Sequence, residues 1–481
     1  MNYLMIRMKA IKLPSKLPLG ISQSGFQFEM GVKGSEDRNS DWWVWTHDPD
    51  NIALGIVSGD LPENGPGYWD LYHVDHDIME WLGVEILRIG IEWSRIFPKP
   101  TYEVSVDYEL KGNSLVYVDV KESSLRKLDE LANRTAVRRY REIVSDWKRR
   151  GKVLIVNLNH FTLPIWIHDP LRPRYHGLND FDKWPSGWLN VRSAIEYVKY
   201  AAYVAWSLSD MVDMWSTFNE PIAYLTASYI NPYKGFPPGI FSPNAFTTGF
   251  LNIIQAHARA YEVLKELTGK PIGIIHVMPY IMGLNGGGDY VERAKYLLNF
   301  SLLESLINGR LLNGEVRDDL RGKVDWLGLN YYTRLVVSDS RSWLRFRPIK
   351  GYGALCRCMD RSLEGRIVAD NGWEVYPEGL YHVLKETYLR YGLPIYITEN
   401  GVADEEDRIR PNFILSHIEQ VSKAISEGVD VKAYMYWSLV DNYEWAQGFK
   451  MKFGLFKVNH RTKERIPRPS AYVFRSLAKA K

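Results

Sequence analysis

Eight short apolar runs, each followed by a stretch of helical periodicity, recur along this chain and leave few folds open to it. The runs lie near 19–29, 85–93, 152–160, 213–219, 271–278, 324–332, 394–399 and 431–439, with the length and composition of buried parallel strands. Helical patterns fall between and after them at 67–82, 124–150, 190–211, 244–268, 288–310, 376–391, 411–428 and 469–480. Tyr68, Leu71, Tyr72, Met79 and Leu82 make an apolar stripe in the first of these, and Pro411 and Pro469 sit where helices start. Strand then helix, eight times over, predicts an α/β fold of the closed (β/α)8 TIM barrel type rather than an open doubly wound sheet.

The connections between these elements are lopsided. Helix-to-strand links are brief, as at Gly151-Lys152, Gly269-Lys270-Pro271 and Gly428-Val429-Asp430, with the stretch before Val324 as the exception. Strand-to-helix links are long, at 30–66, 97–123, 161–189, 222–243, 333–375 and 440–468. All six follow the C-terminal ends of strands, the face on which barrel enzymes build their sites, so long βα loops around a deep pocket are expected. No Pro/Gly/Ser linker or low-complexity tract cuts the chain, and 1–481 reads as one barrel domain with about 1–12 as a solvated N-terminal tail.

Composition narrows the class. A hydrophobic content of 46% with a net charge of +3 describes a globular protein with ample core and no charge excess for nucleic acid or an anionic membrane. Arg7, Lys9, Lys12 and Lys16 interrupt the apolar residues before Leu19, so a signal peptide is not read there, and no run approaches transmembrane length; a cytoplasmic protein is expected. Cys356 and Cys358 are too few for a disulfide framework and read as thiols of a reducing compartment.

Two glutamates stand where buried strands break into loops. Met214-Trp215-Ser216-Thr217-Phe218 leads into Asn219-Glu220-Pro221, and Ile395-Tyr396-Ile397-Thr398 leads into Glu399-Asn400-Gly401. A carboxylate so placed is unfavourable unless paired or used, and two carboxyls with separately tuned pKa values are what glycosidic-bond hydrolysis requires. Other polar residues gather at strand ends: Gln27 and Glu29 on the first, Asn159 and His160 on the third, Asn330 and Tyr332 on the sixth, with Arg88 inside the second. Singly each could be a satisfied core group; as a set they converge above the barrel axis.

These residues resemble glycoside hydrolase family 1, the retaining β-glycosidases, over nearly the whole chain, from Gly25-Phe26-Gln27-Phe28-Glu29 to Arg468-Pro469-Ser470-Ala471. Trp166-Ile167-His168-Asp169-Pro170, Gly235-Phe236-Pro237-Pro238-Gly239 and Gln255-Ala256-His257-Ala258-Arg259-Ala260-Tyr261 look most like the archaeal members. Thr217-Phe218-Asn219-Glu220-Pro221 matches the family's acid/base motif and Ile397-Thr398-Glu399-Asn400-Gly401 its nucleophile motif. The resemblance implies Glu399 as nucleophile and Glu220 as general acid, then base, with Arg88 and Tyr332 as the partners that keep Glu399 ionised. It implies that Gln27 and Glu444 bind outer hydroxyls, His160 and Trp445 the 3-hydroxyl region and Asn219 the 2-hydroxyl, while Trp437 stacks beneath the ring. The substrate it implies is a small-molecule β-glucoside or β-galactoside, unphosphorylated because the Glu444 carboxylate would repel a phosphate, opened from the non-reducing end with transglycosylation alongside. It also implies a thermostable homo-oligomer, a dimer or tetramer, without metal or cofactor.

Phe161 stands where many relatives have tryptophan and Asn459 where aspartate is common, so sugar preference is the property most exposed to change. Two rivals remain: a barrel that binds sugar without cleaving it, whose catalytic glutamates would be expected to have drifted, and a different carboxylate-pair hydrolase, such as an inverting glycosidase with carboxyls roughly 6.5–9.5 Å apart. Other features read as structural. His73, His76 and Asp77 suit a solvated or hydrogen-bonded helix face better than a metal, Gly286-Gly287-Gly288 a flexible turn, and Asn133-Arg134-Thr135 a chance match to the glycosylation pattern.

Overall fold

The computed structural model describes residues 17–357 and 359–480. The expected tail at about 1–12 and Cys358 lie outside the described residues. Eight parallel strands close into a barrel in sequence order: β1 (Leu19–Ser22), β2 (Ile86–Gly90), β3 (Val153–Asn157), β4 (Met214–Asn219), β5 (Ile272–Val277), β6 (Trp326–Asn330), β7 (Ile395–Asn400) and β8 (Val431–Tyr436). Closure is direct, with Leu19 opposite Tyr434 on one side of β1 and Gly20 opposite Ile86 on the other. Ile86, Ile155, Met214, Ile275, Trp326, Ala433 and Met435 form one buried cluster contributed by barrel strands, so the barrel is filled rather than hollow.

Helices pack around the strands as the periodicity anticipates, at Tyr68–Leu82, Val191–Leu208, Pro243–Thr268, Pro377–Tyr391, Arg410–Ser426 and Pro469–Lys479. Two expected helices are broken. The one over 124–150 is a pair, Glu122–Leu131 and Arg134–Arg149, because Ala132 is extended and the Asn133 side chain accepts from the Thr135 and Ala136 amides as an N-cap. That cap is what Asn133 does in the apparent glycosylation pattern. The stretch 288–310 becomes Asp289–Lys295, a π turn at Tyr296–Phe300, and Ser301–Ile307.

The long βα connections are built, not structureless. They hold the helix Asp41–His47, a hairpin of Asp107–Lys111 with Ser114–Asp119, the helix Pro221–Tyr229 inside the expected loop 222–243, and a parallel pairing of Tyr280–Gly283 with Arg334–Asp339. The first apolar run is also shorter than expected. β1 stops at Ser22 and the chain turns into a short helix, Gly25–Phe28, because the Phe26 amide is drawn to Glu92 Oε1 at 2.9 Å. Gln27 and Glu29 therefore do not close a strand; they ride on this turn. A Cβ at Gly25 would fall 2.3 Å from the Glu92 carboxyl, which requires glycine there.

The last loop is tied to the barrel by one cation. Arg468, almost fully buried, gives both Nη atoms to Asp441 at 3.0 Å and donates to the Gly454 carbonyl at 2.8 Å. It thereby fixes both ends of the segment that carries Glu444 and Trp445. Removing one member of such a buried pair typically costs about 3–5 kcal/mol. Arg468→Met should lower unfolding stability by about that much, read as an earlier denaturation midpoint at unchanged pH; a midpoint within error of the parent would refute this role.

Candidate active site

A cavity of about 380 Å³ opens over the C-terminal strand ends, and Gln27, His160, Asn219, Glu220, Tyr332 and Glu399 all line it. Trp437, Glu444 and Trp445 line it too, so every expected sugar-contacting residue reaches one space. Arg88 lies beneath, fully buried in β2.

Glu399 ends β7 between two donors. Its Oε1 accepts from Arg88 Nη1 and its Oε2 from the Tyr332 hydroxyl at 2.6 Å. Arg88 and Tyr332 are the partners that the family resemblance implies for it, and both act as donors to its oxygens. The residues after it hold it in place. Asn400 Nδ2 donates to the Tyr331 carbonyl and Asn400 Oδ1 accepts from the Tyr434 hydroxyl, each at 2.7 Å. Gly401 passes so near β8 that a Cβ would stand 1.9 Å from the Trp437 carbonyl oxygen. The Glu-Asn-Gly motif is thus a set of steric and hydrogen-bonding requirements at one strand end.

Glu220 follows β4 in a left-handed conformation, φ 47°, at the head of the helix Pro221–Tyr229. Its amide donates to the Ile275 carbonyl, and its Oε1 accepts from Asn330 Nδ2 at 2.6 Å. The Thr398 hydroxyl donates to Asn330 Oδ1 at 2.7 Å, which turns the amide's NH2 toward Glu220. Burial first, and the charge of Glu399 second, push the Glu220 carboxyl up to about 8. Glu399 is bonded by a cation and a hydroxyl, and Glu220 is biased toward keeping its proton.

The surrounding groups are set for hydroxyl recognition. Arg88 Nη2 donates to Asn219 Oδ1 and to His160 Nδ1, each at 3.0 Å. A guanidinium can only donate, so His160 accepts at Nδ1 and carries its proton on Nε2. Burial and the Arg88 charge keep that ring neutral. Gln27 Nε2 lies 3.3 Å from Glu444 Oε2, and the Trp437 ring meets Phe28 edge-on at 5.5 Å and stacks near His160 at 5.9 Å. Burial, then the Glu399 charge, pushes Glu444 up to about 8, so the sugar-free pocket holds it largely neutral near pH 7. This modifies the expected repulsion of phosphate. The guanidinium beneath the pocket, Arg88, is committed to Glu399.

Sequence reasoning passed over several residues of this cavity. Asn330 was visible at its strand end, but its grip on Glu220 was not. His276, one place before the end of β5, also lines the cavity; its Nε2 donates to the Leu298 carbonyl at 2.9 Å. Strand-end reasoning applied to the fifth run would have found it. Trp373 and Phe453 come from distant loops and left no local signal. Phe161 forms part of the wall, 5.0 Å from Trp445 between ring centres, whereas Asn459 is occupied in a turn, accepting from the Arg461 and Thr462 amides.

The remaining sequence candidates are structural. His76 bonds Tyr68 and Asp146, each at 2.8 Å, and Asp77 pairs with Arg150. Gly286-Gly287-Gly288 joins a strand to the helix at Asp289. Among the described residues no group of three or more His, Cys, Asp or Glu is arranged to hold a metal ion. No helix among them is long and apolar enough to cross a membrane.

Known proteins share this sequence and geometry. The family model described as Glycosyl hydrolase family 1 matches residues 9–108 and 130–481. A β-galactosidase of Sulfolobus acidocaldarius is 46% identical over 475 residues, covering 98% of this chain and 96% of that protein. The crystal structure of the β-glycosidase from the hyperthermophile Thermosphaera aggregans superposes with a TM-score of 0.94 at 49% identity, covering 97% of each chain. A β-glucosidase mutant derived from a hyperthermophilic tetrameric structure gives a TM-score of 0.90 at 48% identity, covering 97% of this chain and 96% of that one.

The carboxyl pair can be tested directly by its titration. Followed by NMR of carboxyl-labelled glutamate, Glu220 should lose its proton near pH 8. In Glu399→Gln that titration should move to lower pH, because the negative neighbour that disfavours ionisation is gone. An unmoved titration would show that the two carboxyls do not communicate.

Proposed function

The chain belongs to glycosyl hydrolase family 1, and we propose that it cleaves unphosphorylated β-glucosides and β-galactosides from the non-reducing end by double displacement on Glu399 and Glu220. The observation that carries the assignment of roles is the asymmetry of the pair. Of the two carboxyls, Arg88 and Tyr332 bond Glu399 and not Glu220, which takes an uncharged amide and has a raised pKa.

In the first step a Glu399 oxygen forms a bond to the anomeric carbon as the glycosidic bond breaks, and Glu220 gives its proton to the departing oxygen. Esterification removes the Glu399 charge. The pKa of Glu220 then falls, because that charge is among the causes that raise it. As a base it deprotonates the water that attacks the anomeric carbon, releases the sugar and restores both carboxyls; an acceptor hydroxyl in place of water gives transglycosylation. Asn219 and His160, aligned through Arg88, would hold hydroxyls beside the reacting carbon, with Trp437 under the sugar's C–H face.

A hyperthermophilic tetrameric relative supports a heat-resistant homo-oligomer, which sedimentation and a thermal unfolding scan would check. The free thiol of Cys356, buried in a loop, supports work in a reducing, cytoplasmic setting.

With nitrophenyl β-glucoside, Glu399→Gln should lose turnover by several orders of magnitude. Glu220→Ala should still form the glycosyl-enzyme from this good leaving group, with azide restoring release. In the parent, kcat/KM should fall as pH rises through about 8, where the acid loses its proton. Equal, azide-insensitive loss in both variants would contradict the roles, and an inert parent enzyme would contradict the hydrolase itself.

A further inference from the structure

One carboxyl behind the catalytic cavity grips two of the segments that carry residues into it. Glu92 is buried and is not among the cavity's lining residues, so it is placed to act on its neighbours and not on a bound sugar. Its Oε1 accepts from the Phe26 amide at 2.9 Å, one residue before Gln27. Its Oε2 accepts from the Thr162 hydroxyl at 2.5 Å, two residues after His160. Gln27 and His160 both line the cavity, and a group that meets a ligand is only as well placed as the contacts behind it.

Both gripped segments need holding. Phe161, between His160 and Thr162, has a left-handed backbone, φ 74°, which a bulky side chain keeps only where its surroundings enforce it. Glu92 and Asp41, which accepts from the Leu163 amide at 2.9 Å, fasten the chain just past this strained residue. On the other segment the Phe26 ring lies parallel to Trp445 with 6.1 Å between centres, so the Phe26 amide bond bears on that wall residue too. Glu92 is fixed in turn. Its amide donates to the Tyr140 hydroxyl at 2.9 Å, and that hydroxyl donates to Glu29 Oε1 at 2.8 Å, at the end of the turn bearing Gln27. Glu29 Oε2 accepts from Arg95 Nε at 2.6 Å.

We propose that Glu92 is a positioning residue for sugar recognition: through the Phe26 amide and the Thr162 hydroxyl it sets Gln27 against an outer hydroxyl and His160 against the 3-hydroxyl, so that losing this one carboxyl weakens both contacts. The role rests on the glycosidase reading above and adds to it a group that touches no substrate. Its basis is the clasp and not the charge. In Glu92→Gln the side-chain carbonyl can still accept from the amide, and the NH2 can donate to the Thr162 oxygen, since a hydroxyl both gives and accepts.

Nitrophenyl β-glucoside and its 3-deoxy and 4-deoxy analogues, compared by kcat/KM, test it, because all three share one leaving group. Each glucoside-to-deoxy ratio reports what the enzyme gains from one hydroxyl. Glu92→Ala should lower both ratios about fivefold, roughly the worth of one hydrogen bond each. Thr162→Val should lower the 3-deoxy ratio by a similar factor and spare the 4-deoxy ratio, and Glu92→Gln should keep both at the parent's level. Equal slowing of all three substrates in Glu92→Ala is what a merely structural residue would give, and it would overturn the role. So would an unchanged 3-deoxy ratio in Thr162→Val, or a Glu92→Gln enzyme as poor in both ratios as Glu92→Ala. Where Glu92→Ala does not fold, the other two variants decide. A parent inert on the glucoside would overturn the glycosidase reading, and the positioning role with it.

Discussion

One buried guanidinium ties together the groups at the floor of the cavity. Arg88 meets Glu399 with one nitrogen and reaches His160 and Asn219 with the other. Burial, and after it the charge of Glu399, keeps protons on Glu220 and Glu444. Burial, and after it the charge of Arg88, holds the His160 ring neutral. One side chain on β2 thus joins Glu399 to two further residues of the cavity wall.

The barrel is what makes this arrangement affordable in space. Arg88, Glu220 and Glu399 come from β2, β4 and β7, strands that do not touch one another, and only a closed ring brings their ends around one axis. The loops then seal the site. Glu92 accepts from the Phe26 amide and from the Thr162 hydroxyl at 2.5 Å, so one carboxyl anchors both the turn bearing Gln27 and the loop bearing His160. Glu92 is itself pushed up to about 8, by burial first and Glu29 second, and so favours its neutral form within a cluster that has a single cation, Arg95.

What the sequence made legible was local. The eight strands and the two strand-end glutamates could be read because apolar period and strand-end position are properties of short segments; the partners of Glu399 came only with the family resemblance. What it hid depends on contacts from far along the chain. The end of β1 at Ser22 is set by Glu92, and the sheet joining Tyr280–Gly283 to Arg334–Asp339 is a long-range parallel pairing with no turn to announce it. Other misses left signals that were within reach. Gly112-Asn113 between two β-prone runs marks the hairpin, Asn133 marks a helix start, and His276 sits at a strand end like its neighbours. The electrostatic state of Glu444 was not readable at all, since it follows from burial and from Glu399.

The central claim is that Glu399 carries the sugar between the two steps. A 2-deoxy-2-fluoro β-glucoside with a good leaving group slows both steps and release most of all, so the covalent intermediate accumulates. Mass spectrometry of the intact protein and then of its peptides would locate the sugar. One fluoro-sugar per chain, on the peptide containing Glu399, is the result the account predicts. A sugar on Glu220, or turnover without any covalent adduct, would contradict it.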